Sequence, residues 1–400
     1  MREELTIKYL KEKYLEKFQS ESEFIFSSPG RIELLGNHTD HNHGKVLVSS
    51  VNLKVLAAVG KREDEKVVIY SKGYKKIEVD LNDLSIKEDE FNTSKAIVRG
   101  VISKIKELGY KIGGFNVVCV STIFSGAGVS SSAAFEVLIA KILSVLYNNN
   151  ELKKIDLAKI AQYAEINYFN KPCGLLDQCG IAFGGVNYID FRYIERPKIK
   201  HLVLNNNEYQ FIIINTGDSH SKLTANYAEI KDDMREIANY FGEEYLREVD
   251  TKKFFNQKDE IIEKFGERKY LRAKHFFEEN KRVTKALLAL ENDDFKTFLK
   301  CIDDSGKSSY VQLKNCYINS EEEKLPQALK YVKSIDPESY IRVHGGGFAG
   351  TILVVIKKDK LPTILPLLKE RFESKNVMCV NLTKYGTSLI REAKGEKYVF

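Results

Sequence analysis

No apolar run in the 400-residue chain approaches the roughly 20 residues that a helix needs to cross a bilayer, so no membrane span is expected. The opening MREELTIKYLKEKYLEKF has leucine and tyrosine at helical spacing among alternating charges. It lacks an apolar segment and a cleavage site, so a secretory signal is not expected either. The six cysteines (Cys119, Cys173, Cys179, Cys301, Cys316 and Cys379) form no CxxC pair and follow no regular spacing. They read as buried thiols of a cytoplasmic protein rather than as a disulfide framework. Only seven prolines and no low-complexity tract exclude a fibrous or disordered chain. Charge of neither sign dominates: 62 basic residues meet 56 acidic ones, mixed as in KEKYLEKF and EEYLREVDTKKFF. The net +6 therefore reads as solvated surface, and no nucleic-acid partner is expected.

What is present is a mixed pattern of strands and helices. Four hundred residues exceed the size of a single core, so two domains meeting at a cleft are expected, 1–200 and 201–400, with an approximate boundary. EFIFSS reads as a short strand, KVLVSSVNLKVLAAVG and KVVIYS as further β segments, and a helix is expected from about 93 to 108. GFNVVCVST reads as a buried strand, followed by a glycine-serine loop and the apolar helix AAFEVLIAKILSVLY. Helices near 156–169 and 175–183 and the strand GVNYIDFR complete the first half. The second half opens with the strand YQFIIINTG and runs through a charged helical region from about 223 to 298. It closes on strands around HGGGFAG, a helix near 362–373 and the strand NVMCVNL. The fold class this predicts is α+β, with helices packed on one face of mixed or antiparallel sheets.

Four stretches carry chemistry. In SGAGVSSSAAFEV, Ser125 to Val137, Gly126 and Gly128 let backbone N–H groups approach an anion closely at the start of a helix, where the dipole favours phosphate. The plainer alternative is a glycine turn with a serine cap, although three consecutive serines exceed what capping needs. No G-K-[ST] follows, so this is not a Walker A loop, and the dinucleotide glycine pattern is missing from it. GRIELLGNHTDHNHG, Gly30 to Gly44, places three histidines, an aspartate and two asparagines within seven residues, a cluster for a metal or for a sugar. No Cys or acidic partner falls at a recognised zinc spacing. In KPCGLLDQCG, Asp177 opens a helical pattern and is either a cap or a functional carboxylate. In YAEINYF, Glu165 is either an exposed helix residue or an oxygen ligand.

Taken together these stretches resemble the GHMP superfamily of sugar and metabolite kinases, and galactokinases in particular. That family has PGRVNLIGEHTDYNGG, then the serine loop, CGIMDQ and TGGGFGG. The chain has PGRIELLGNHTDHNHG, GAGVSSSAAFEV, CGLLDQ and HGGGFAG in the same order. The resemblance implies a two-domain α+β fold with the site in an interdomain cleft, and an ATP- and Mg2+-dependent sugar 1-kinase, with galactose the expected substrate. It implies that Asn37, His38, Thr39 and Asp40 line the sugar, and that Gly174 lets the sugar meet the backbone. Tyr227, in NTGDSHSKLTANYAEI, would touch the sugar, with a core tyrosine as the alternative; His220 in the same stretch has no assigned role. Gly126, Ala127, Gly128, Val129, Ser130, Ser131 and Ser132 would hold the ATP phosphates, with Ser71 near the nucleotide. Ser132 and Glu165 would be the magnesium ligands.

By the same resemblance Arg31 sits beside the transferred phosphoryl group, where a guanidinium suits the developing charge. Asp177 faces the C1 hydroxyl and is kept ionised by a neighbouring arginine. The glycine run Gly345 to Gly347 is expected to support the phosphate loop. The chain departs from the family at Glu33, Asn37, His41, Phe124, His344 and Ala349. In the family a glutamate at position 37 faces the C6 side of the sugar. Neutral Asn37 opens the prospect of a uronic acid or N-acetylgalactosamine as substrate. His43, and less firmly His41, read as surface residues. A non-catalytic sugar sensor is a second function class, disfavoured because SSSAA, Arg31 and Asp177 are all present. A monomer or weak homodimer is expected.

Overall fold

The computed structural model describes residues 3–123, 128–205, 207–217, 223–348 and 350–392. The larger of two sheets is formed by β1 (Phe24–Leu35), β2 (Lys45–Lys61), β3 (Lys66–Ser71), β4 (Ile77–Asp80), β5 (Phe115–Ser121), β6 (Val186–Asp190), β7 (Lys198–Leu202) and β12 (Ser388–Glu392). Its order is β12-β1-β2-β5-β3-β4, with β6 beside β2 and β7 beside β6, and only the β3–β5 pair is parallel. The second sheet takes β8 (Tyr209–Asn215), β9 (Tyr340–His344), β10 (Thr351–Lys357) and β11 (Val377–Val380) in the antiparallel order β11-β8-β10-β9.

Five helices belong to the first half, α1 (Glu3–Phe18), α2 (Ser94–Glu107), α3 (Ser131–Tyr147), α4 (Lys154–Asn167) and α5 (Leu176–Phe183), and α6 (Thr224–Tyr240) is the first of the second half. The rest are α7 (Thr251–Asn256), α8 (Lys258–Phe265), α9 (Glu267–Glu291), α10 (Phe295–Ser308), α11 (Lys324–Ile335) and α12 (Leu361–Phe372). The expected α+β class holds. α2 starts where Thr93 Oγ1 accepts from Ala96 N at 3.3 Å, the sequence's own start signal. Among the described residues no helix is long and apolar enough to cross a membrane.

Residue alternation decides what covers each face. Phe26, Ala57, Val59, Val117 and Cys119 point into the core shared with α2, α3 and α4, while Ile25, Leu56, Ala58, Val118 and Val120 meet Leu10 and Tyr14 of α1. The expectation of helices on one face therefore fails for this sheet, because both sets of alternating positions are apolar. In the second sheet Ile212, Ile214, Ile352 and Val354 pack with Leu325, Val332 and Leu368 of α11 and α12. The alternate residues Phe211, Ile213, Leu353 and Val355 join the large core together with Phe298 and Ile302 of α10. The two sheets are thus tied through one continuous apolar core.

The strand expected at EFIFSS continues past Pro29 to Leu35. Pro29 pairs with Lys54 and Gly30 with Val51, a register shift that accommodates a residue with no N–H to give. β4, β7, β12 and α11 were not anticipated from the sequence. The residue-200 boundary falls inside β7, and β12 returns from the far end of the chain to pair with Phe24–Ser27.

Candidate active site

The β1 bulge turns Arg31 toward the phosphate loop. Arg31 Nη1 donates to Gly128 O at 2.7 Å, and the Arg31 backbone N–H donates to Val129 O at 3.1 Å. Its Nε and Nη2 grip Asp177 in a bidentate pair at 2.7 and 2.8 Å. The Ser130 hydroxyl also donates to Asp177. Leu175, not Asp177, caps α5, so the capping alternative for Asp177 does not describe this carboxylate. Burial pushes its carboxyl up, but the Arg31 guanidinium and the Ser130 hydroxyl outweigh that and hold it below the usual carboxylate range. An arginine on the first strand and an aspartate 146 residues later thus form one ionised unit.

Ser130 has left-handed backbone (φ 57°) and makes no cap bond to α3. The serine-cap alternative is not realised, and the first-turn N–H groups of α3 keep no side-chain cap. Val129 is buried and contributes through its backbone; Ser131 is exposed at the helix start. Gly128 has φ +70°, and a Cβ there would overlap Thr351 of β10, so glycine is required on both counts. Gly126, Ala127, Phe124, His220 and Ala349 lie outside the described residues. Ser71 ends β3 opposite Cys119 on β5, two residues before the strand enters the loop.

Behind the serines, Glu165 is 2% exposed, which rules out the exposed-helix alternative. It accepts from Ser132 Oγ (3.3 Å), Lys171 Nζ (2.8 Å) and Gln178 Nε2 (2.8 Å). Gln178 also reaches Glu136 at 3.4 Å, and Glu136 Oε1 is buried without a hydrogen-bond partner. Burial, with Glu165 beside it, pushes the Glu136 carboxyl well up. Both Glu165 oxygens are thus taken, one by Ser132 and Lys171 and the other by Gln178, and among the described residues no cluster of three or more His, Cys, Asp or Glu side chains could hold a metal; a hard divalent cation here would have to share Ser132 and Glu165 with the Lys171 ammonium. Lys171, Gln178 and Glu136 were missed from the sequence, since nothing local marks their convergence.

The loop after β1 departs most from expectation. Asn37 is 1% exposed and its amide is saturated by protein: Nδ2 donates to Glu33 (3.0 Å) and Gly345 O (2.8 Å), and Oδ1 accepts from Ser309 (3.2 Å) and Asn315 (2.9 Å). Asn37 is therefore a brace, not a free sugar ligand. Thr39 is wholly buried and its hydroxyl bonds Gly36 O and Lys45 O, closing the loop. Asn42 donates to His41 Nδ1 (3.0 Å), His41 Nε2 lies 3.4 Å from His38 Nδ1, and His38 Nε2 lies 2.9 Å from Gly346 O. The carbonyl at one end and the amide at the other fix the direction: each imidazole donates from Nε2 and accepts at Nδ1. Burial lowers His38 to about 4 and His41 well below its ordinary value, so both rings are neutral. Both nitrogens of His38 are committed to protein, and His41 is no surface residue. His43 stacks on Tyr245 at 3.7 Å and is not free either.

Asp40 keeps capacity for a ligand. It accepts one backbone N–H on each oxygen, from His41 (3.0 Å) and Leu176 (3.2 Å), and is not fully buried. Gly174 serves this carboxylate: a Cβ at 174 would overlap Asp40, so the missing side chain makes room for Asp40 before it makes room for a sugar. Tyr227 lies beside His38 (ring centroids 6.5 Å apart) and its hydroxyl donates to Gly347 O at 3.2 Å. A Cβ on Gly346 would collide with the Tyr227 ring, and Gly345 O and Gly346 O accept from Asn37 and His38, so the contacts of the glycine run go to the loop after β1. Fully buried Arg342 joins the halves, donating to Leu34 O (2.9 Å) and to Glu33. The Glu33 backbone N–H donates to His344 Nε2 at 3.0 Å.

Comparisons with known proteins point to one family. The family model described as the galactokinase galactose-binding signature covers residues 12–61, and the GHMP kinases N terminal domain covers 96–185. The chain is 30% identical to the galactokinase of Clostridium acetobutylicum over 92% of its length and 94% of that protein's. It is 32% identical to that of Streptococcus suis over 88% and 90%. Among solved structures, Lactococcus lactis galactokinase complexed with galactose superposes with a TM-score of 0.84 at 24% identity, covering 96% of this chain and 99% of that one. Methanococcus jannaschii mevalonate kinase gives 0.63 at 17% identity, over 90% and 98%. The chain belongs to the galactokinase family of the GHMP kinases and is an ATP-dependent sugar kinase.

Proposed function

We propose that the protein phosphorylates galactose at C1. The observation that carries this reading is the Arg31–Asp177–Ser130 unit beside the start of α3. Asp177, held ionised, accepts the C1 hydroxyl hydrogen while that oxygen bonds the γ-phosphorus of ATP and the bond to the bridging β,γ-oxygen breaks. Arg31 meets the charge that develops on the phosphoryl oxygens. The uncapped N–H groups of Ser130 to Ser132 bind phosphate, and Asp40 accepts from sugar hydroxyls. Ser132 and Glu165 would hold Mg2+, which when bound offsets the charge of the nucleotide phosphates. The six free thiols support a reducing, cytoplasmic location.

A galacturonate or N-acetylgalactosamine kinase is the second reading. The saturated Asn37 amide argues against a uronate, because it has no donor left for a carboxylate. Glu33, Asp40 and Asp177 meanwhile set three acidic groups against Arg31 and Arg342. The test is kcat/KM for ATP-dependent phosphorylation across galactose, glucose, galacturonate and N-acetylgalactosamine. Galactose should lead and galacturonate should trail. A lead for either modified hexose overturns the choice of substrate, and no turnover with any hexose favours a sensor. Asp177→Ala should abolish turnover and leave ATP binding largely intact.

A further inference from the structure

The loop from Gly36 to Lys45 is pinned by a helix that contributes nothing to the motifs. On α9, Glu279 Oε1 accepts the Gly36 N–H at 2.9 Å, His275 Nε2 donates to Asn37 O at 2.9 Å, and Asn280 Oδ1 accepts the Lys45 N–H at 2.6 Å. These partners are 243, 238 and 235 residues apart in sequence. Thr284 takes the Lys45 ammonium at 2.9 Å, so positions 275, 279, 280 and 284 meet the loop along about two and a half turns of the helix. Both ends of the loop are held: Gly36 lies one residue past the end of the β1 ladder, and Lys45, which opens β2 opposite Asp190 of β6, gains a second hold from α9.

The clamp is costly to bury and fully compensated. His275 and Glu279 have no exposed surface. Glu279 also accepts from Ser305 Oγ at 2.6 Å and pairs with Arg282, and His275 Nδ1 lies 2.8 Å from Ser308 Oγ. A buried carboxylate satisfied by a guanidinium, a hydroxyl and one loop N–H is a strong, directional hold on that N–H. None of these side chains bonds a described residue of the phosphate loop, so the clamp acts on one side of the site.

We propose that α9, through Glu279 and His275, positions the Gly36–Lys45 loop for sugar recognition and sets sugar affinity independently of nucleotide affinity. This rests on the reading that the loop, through Asp40, binds the hexose. The test is steady-state kinetics on the full chain, with KM for galactose and for ATP measured separately. Glu279→Ala and His275→Ala should each raise the galactose KM about tenfold and move the ATP KM by less than about twofold. His275→Gln keeps an N–H donor for Asn37 O and should recover most of the loss. If Glu279→Ala does not accumulate as folded protein, the His275 pair carries the test. Galactose and ATP KM rising together, or neither moving, overturns the clamp. Asp40→Asn is the control: an unchanged galactose KM there overturns the sugar reading and the clamp with it, whereas a raised KM there beside an unchanged one in the α9 variants overturns the clamp alone.

Discussion

Asp40 and Asp177 share one site and are driven in opposite directions. Arg31 holds Asp177 below the ordinary carboxylate range. Burial raises Asp40 to about 6; the Leu176 N–H opposes the shift, and the nearby Asp177 and Glu33 carboxylates add to it. A sugar hydroxyl donates better to the ionised form, so the galactose KM should fall as pH rises through about 6 and should lose that dependence in Asp40→Asn. The stability sign is the reverse. A raised folded-state pKa contributes stability present below the unfolded value, about 3.9, and lost as pH rises through about 6. Denaturant melts across that window should show Asp40→Asn gaining on the unsubstituted protein as pH increases. The sequence motifs pointed to Arg31, Asp40, Asp177 and Glu165 only through their resemblance to galactokinases. They could not show that Asn37 is saturated, because its acceptor Gly345 and its donors Ser309 and Asn315 lie 308, 272 and 278 residues away.

Among the elements, apolar content rather than length decided what was legible: four-residue β11 was expected at NVMCVNL, whereas twelve-residue α11 was not. α3, with eleven buried residues in seventeen, and β5 announce themselves by composition. β12, SLIRE, is five residues with a charged end, and only its partner β1 makes it a strand. β12 nevertheless covers Phe24 to Ser27, and Thr387 beside it bonds Ser28 across 2.8 Å in the core. Ending the chain at Gly386 should open an aromatic edge strand, lower the thermal midpoint by roughly 4 °C for about 3 kcal/mol of lost apolar burial, and promote association visible in light scattering. An unchanged midpoint would mean that β1 is held by β2 alone.

At the scale of the whole molecule, sugar binding and folding are linked through the same loop. The Gly36–Lys45 segment is braced by α9, by Asn315 and by Leu246, whose N–H donates to Asn42 at 3.2 Å. A hexose bound to Asp40 stabilises an assembly drawn from both halves of the chain. Galactose at about 100 times its Kd should add about 2.7 kcal/mol, which for this length is roughly a 3 °C rise in midpoint, read by calorimetry. Galacturonate should give no rise. Sequence patterns predicted two halves and a cleft; they gave no sign that the second half grips the first by its recognition loop, because each grip is a single side chain.

The pairing of β1 with β12 also sets a timetable. Roughly 360 residues separate Phe24 from its partner strand. At a synthesis rate of about 5–20 residues per second, on the order of 20–70 s pass between the emergence of the two. A hairpin forms in microseconds, so β1 and β2 can pair at once while the other edge of β1 waits on the ribosome. The second edge of β1 therefore closes only after roughly 360 further residues have been made, and until then a nascent chain carries an open aromatic edge.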